Sequence, residues 1–80
     1  MFYKYIHLPP MVEVFKTNIC NLAKANHVVE LLKQQFPLAQ ITIDLDDCDK
    51  IMRFENQSIN IPQVINILNQ LGINCQVLAE

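Results

Sequence analysis

The sequence predicts an α+β domain in which two amphipathic helices cover one face of a four-stranded antiparallel sheet. Three observations carry that prediction. Apolar residues recur at helical spacing over residues 22–36 and again over 61–71, the period of helices with one buried stripe. Residues 40–45 and 73–77 alternate strictly between apolar and polar, the period of strands with one wet face. Proline, glycine and an aspartate-rich cluster punctuate the chain between these stretches. At 80 residues there is room for a single core.

The elements follow in order. Residues 1–10 hold a short aromatic and apolar run closed by Pro9 and Pro10, which reads as an N-terminal arm or a short extra strand; the domain proper spans residues 11–80. Residues 12–17 are β-branched and aromatic with partial alternation, hence a strand. Residues 18–21 are polar and able to cap a helix. Leu22, Ala25, Val28, Val29, Leu32 and Phe36 then form an apolar stripe, and Pro37 stops the helix because proline disfavours helical backbone in its predecessor. Ile41, Ile43 and Leu45 alternate with Gln40, Thr42 and Asp44 in the clearest strand of the chain. The polar turn at residues 46–50 returns into a third strand over residues 51–55, with Met52 and Phe54 on one side. Asn60 is placed to cap a second helix, with Pro62 in a first turn where its missing N–H costs nothing. Val64, Leu68 and Leu71 form that helix's core stripe, and Gly72, the only glycine, suits a C-terminal cap with positive φ. Ile73, Cys75 and Val77 alternate with Asn74 and Gln76 in a final strand. The resulting order is βαββαβ, the split βαβ or ferredoxin-like arrangement, which many functions share.

Composition excludes several classes of function. Half the residues (51%) are hydrophobic and 18% are charged, a balance that folds. A net charge of −2 from 6 basic and 8 acidic residues leaves no electrostatic footprint for nucleic acid or an anionic membrane. Three cysteines, Cys20, Cys48 and Cys75, are an odd number at wide spacing, unlike a secreted disulfide scaffold. The prolines interrupt the N-terminal apolar run, so neither a signal peptide nor a membrane span is expected, and a reduced, cytoplasmic protein is. A single glycine rules out a phosphate cradle, and no nucleophile elbow or catalytic carboxylate pair is present. The chain is expected not to be an enzyme.

Several strings together carry a resemblance: Val14-Phe-Lys-Thr-Asn-Ile-Cys20 ahead of a helix, Phe36-Pro-Leu-Ala-Gln-Ile41-Thr-Ile-Asp44, Asp49-Lys50-Ile51, and Leu71-Gly72-Ile73. With the order of elements, they make residues 11–78 similar to the heavy-metal-associated (HMA) domain, some members of which carry Lys-Thr-Asn-Ile just before their metal loop. The resemblance implies a soft cation such as Cu(I) held between two thiolates spaced Cys-x-x-Cys. Matching Lys16-Thr-Asn-Ile19 residue by residue places those two positions at Asn21 and Lys24, neither a soft ligand. Cys20 lies one position too early. The resemblance also implies an edge that meets partners, made here of Asn18, Ile19, Cys20 and Ile73.

Other candidate sites are weighed on their residues. Cys20, Cys48 and Cys75 fall in or just beyond three connections at one edge of the sheet, which suggests a three-thiol metal site. Bonds of about 2.3 Å to one ion are a severe demand on a hairpin tip and a separate loop, however. The blander reading makes Cys75 a small core residue and Cys20 and Cys48 solitary thiols. Cys20 precedes a helix N-terminus, whose dipole favours a thiolate, so it is a candidate ligand or redox-sensitive thiol on its own. His27 is too far along its helix to share an ion with Cys20, and His7 lies in the arm. Asp44, Asp46, Asp47 and Asp49 lack the glycine and the final glutamate of a calcium loop and read as a solvated turn.

The function expected is a non-enzymatic, HMA-like module for protein interaction or regulation, with no cofactor and with a protein partner or a second copy of itself. The alternative is copper or zinc binding or trafficking through a non-standard site around Cys20. A third reading, from another class, is a small-ligand regulatory module, since other βαββαβ domains bind amino acids between protomers.

Overall fold

Two asparagines start the two helices. Asn21 Oδ1 accepts the backbone N–H of Lys24 at 2.8 Å, and Asn60 Oδ1 accepts that of Gln63 at 3.1 Å, each satisfying one of the donors a helix start leaves free. The computed structural model describes residues 10–78, so the expected arm or extra strand lies, apart from Pro10, outside the described residues. The elements are β1 (Met11–Thr17), α1 (Leu22–Gln35), β2 (Gln40–Ile43), β3 (Met52–Asn56), α2 (Ile61–Gln70) and β4 (Cys75–Val77). The strands form one antiparallel sheet in the order β2-β3-β1-β4. This is the ferredoxin-like α+β fold that the periodicities predict. Among the described residues no helix is long and apolar enough to cross a membrane.

The core lies between the sheet and the helices. Phe15, Met52 and Phe54 of the central strands, Val28 and Leu32 of α1, and Val64 and Leu68 of α2 are all fully buried. Phe36 meets Phe54 edge to face, with ring centroids 5.3 Å apart at 90°, the arrangement aromatic quadrupoles prefer. The α1 stripe starts one turn later than expected: Leu22, at the first helical position, is 65% exposed, and Ala25 is the first α1 side chain to enter the core.

The end of α2 departs from the sequence expectation in an informative way. Gly72 N–H donates to Asn69 O and Ile73 N–H to Leu68 O, both at 3.0 Å, while Gly72 has φ of 78°. This paired hydrogen bonding, with Leu68 and Ile73 both buried, is a Schellman cap. Ile73 thus belongs to the cap, and the last strand is reduced to Cys75–Val77.

An added Cβ at Gly72 would meet nothing within 4 Å, so the cost of Gly72→Ala is conformational alone. Urea unfolding is expected to show a loss of about 1–2 kcal/mol for Gly72→Ala and a smaller loss for Gly72→Asn, because asparagine tolerates the left-handed region better.

Candidate functional site

Three connections meet at one end of the sheet: residues 18–21 between β1 and α1, residues 44–51 between β2 and β3, and residues 71–74 between α2 and β4. Thr17, only 7% exposed, ties the first two together. Its N–H donates to Asp49 O at 3.1 Å, and its hydroxyl donates to Lys50 O at 2.6 Å while accepting from Ile19 N–H at 3.2 Å. Asn18 ties in the third: its Oδ1 accepts Asn74 N–H at 3.0 Å, across 56 residues of chain. Thr17 and Asn18 sit in the Lys-Thr-Asn-Ile string, but sequence carried no sign of these long-range bonds.

The two positions that the resemblance sets against cysteines are already engaged. Asn21 Oδ1 holds Lys24 N–H as the helix cap. Lys24 Nζ reaches 3.4 Å from Leu71 O, a carbonyl at the C-terminal cap of α2 where the helix dipole favours a cation. An occupied amide oxygen and an ammonium do not fit a soft cation, which selects thiolates.

The remaining expected site residues are placed as follows. Ile19 and Ile73 are 1% and 2% exposed, so both belong to the core and give an interaction edge no side-chain surface. Asn18 and Cys20 of that edge are exposed. Cys48 is exposed on the hairpin, whereas Cys75 is half-buried and packs against the core. Burial pushes the Cys75 thiol from 9.0 up to about 11, because a thiolate there would lose hydration. Among the described residues, the one group of three His, Cys, Asp or Glu side chains with ligand atoms all within 4.8 Å is Asp47, Cys48 and Asp49. The three thiols therefore do not converge: one packs inward, one sits on a hairpin and one on a loop. Three of the four carboxylates of the acidic turn have local partners. Asp44 and Asp47 accept the N–H groups of Asp46 and Asp49 at 3.1 and 2.8 Å, and Asp49 lies 3.7 Å from Lys16 Nζ. His27 is exposed on α1, and His7 is outside the described residues.

Beside this end lies an open groove of about 220 Å³ between β1 and β4, with Thr17 and Cys75 in its lining. Around Cys20 and Lys24 the exposed Leu22 is the conspicuous apolar group, and sequence reasoning placed it in the core. Comparison with protein-family models, with curated proteins and with solved structures finds no match to this chain.

Thr17→Val keeps the shape of the side chain but leaves Lys50 O without its donor. It is expected to lower unfolding free energy by about 1–3 kcal/mol, measured in urea, with Thr17→Ser closer to wild type. Cys75 gives a pH signature with a determined sign. Its folded pKa lies above its unfolded value, so its contribution to stability is full below pH 9.0 and falls as pH rises through about 11. The alkaline slope of stability for wild type should therefore exceed that of Cys75→Ala. A disulfide-exchange reagent at pH 8 should label Cys20 and Cys48 well before Cys75.

Proposed function

We propose that this chain is a non-enzymatic, HMA-like interaction module whose cation position is taken by its own lysine. The observation that carries the reading is the Lys24 ammonium seated on Leu71 O, with Asn21 committed to the cap between the same loop and helix. An exposed ammonium 3.4 Å from that carbonyl favours the α2 C-terminus in the same sense as a cation would, and it repels a second positive charge. Leu22 supports an interaction role for the same end. It stands exposed among polar neighbours, Cys20, Asn21 and Lys24, the pattern of an apolar anchor inside a polar rim. The partner on this reading is a protein, met by side chains of the loop end rather than through an ion.

The test is a competition for Cu(I) against a chelator of about micromolar affinity, under reducing conditions, using wild type and the double variant Asn21→Cys/Lys24→Cys. Wild type is expected to yield the metal to the chelator and the double variant to keep it. Wild-type retention that is lost on Cys20→Ser would replace this reading with metal handling at Cys20. Failure of the double variant to bind would remove the resemblance on which the reading stands.

A further inference from the structure

We propose that two copies of the chain pair through their β2 edges, antiparallel about a two-fold axis that passes between the two Thr42 residues, joining both sheets into one. This concerns the sheet edge opposite β4 and does not rest on the reading of the loop end.

The hydrogen-bonding parity of β2 is set by one bond. Asp44 N–H donates to Ile51 O at 2.8 Å, and these two residues stand directly opposite in the β2–β3 register. In an antiparallel ladder bonded and non-bonded pairs alternate. Thr42 and Gln40 therefore bond inward to Arg53 and Glu55, and the main-chain groups of Ile41 and Ile43 point outward. β2 is an end strand of the four-stranded sheet, so among the described residues those outward groups face no strand. The strip also lacks what usually blunts an edge: residues 39–43 are Ala-Gln-Ile-Thr-Ile, with no charge, no proline and three β-branched side chains.

The register follows by elimination. A two-fold axis normal to the sheet leaves the helices of both copies on one face and pairs odd positions with odd. Centring it on Ile41 would call on the N–H of Ala39, which is already given to Phe36 O at 3.0 Å. Centring it on Ile43 would call on Leu45 O, which already accepts Lys50 Nζ at 2.7 Å. Centring it on Thr42 sets Ile41 against the partner's Ile43 and Ile43 against the partner's Ile41, using only groups that no other described residue engages.

Side chains agree with that register. On the helix-covered face the half-buried Ile41 and Ile43 meet the partner's Ile43 and Ile41, so apolar opposes apolar across the pair. On the open face Thr42 opposes the partner's Thr42, and Gln40 opposes the partner's Asp44. No like charges face each other, and cross-strand pairs of these kinds are favourable. The strip is self-complementary in bonds, burial and charge, which favours a second copy over an unrelated peptide.

Sedimentation equilibrium of the full chain tests this, from about 10 μM to about 1 mM with a phosphine reductant that prevents disulfides through Cys20 or Cys48. Wild-type mass is expected to rise toward twice that of the chain. Thr42 is exposed, so Thr42→Lys should fold, yet it sets lysine against lysine and should weaken association at least tenfold. An equimolar mixture of Thr42→Lys and Thr42→Glu should recover it. Amide exchange on wild type gives an independent reading: Ile41 and Ile43 N–H should gain protection as concentration rises, while Thr42 N–H is protected throughout. A wild type that stays monomeric, or a dimer indifferent to Thr42→Lys and without concentration-dependent protection at Ile41 and Ile43, would overturn the proposal.

Discussion

The loop end of this domain depends on a single buried hydroxyl. Thr17 closes β1 and at the same point fastens the β2–β3 connection through Lys50 O and orients the loop into α1 through Ile19 N–H. A group so far removed from water must have its hydrogen bonds made within the protein, and Thr17 makes both kinds, donor and acceptor. Because these contacts join segments far apart in sequence, the geometry of the end is set by packing of the whole sheet, not by any one loop. Ile19 follows into the core, which leaves Cys20, Asn21 and Leu22 to face solvent.

The same constraint explains why the cysteines stay apart. A strand alternates its side chains between faces. Cys75 falls in step with Val77 on the core side, where burial holds it as a neutral thiol, while Cys20 and Cys48 remain on outward connections. The charge balance of this end is supplied from within. Lys24 answers the carbonyl end of α2, Lys16 answers Asp49, and Lys50 answers Leu45 O. The exposed pair contributes little stability by itself. What it does is distribute compensated charge over a surface whose exposed large apolar side chain near Cys20 is Leu22.

A four-stranded open sheet has two edges, and they differ here. β4 is three residues long, whereas β2 offers a neutral, β-branched strip with two residues whose main-chain groups face outward. Short length protects an edge because it limits the number of bonds an intruding strand can make. The proposed pairing draws on that difference: with inward parity at Thr42 and outward parity at Ile41 and Ile43, the strip has one register in which it meets itself without displacing a bond made among the described residues.

The sequence by itself determined the element order, a first helix capped from residues 18–21, a second capped by Asn60, and the positive φ at Gly72. These rest on local rules, since periodicity, capping and backbone sterics act over a few residues. The βαββαβ order with two amphipathic helices then leaves few ways to bury both stripes, so the sheet topology was legible too. Only the tertiary structure decided the rest: that Leu22 is exposed although it falls on the stripe, and that Ile19 and Ile73 are core. It also decided that Thr17 and Lys24 bond to carbonyls 33 and 47 residues away. Each of these is a relation between segments distant in the chain, and the burial or bonding of one residue there depends on where the others have packed.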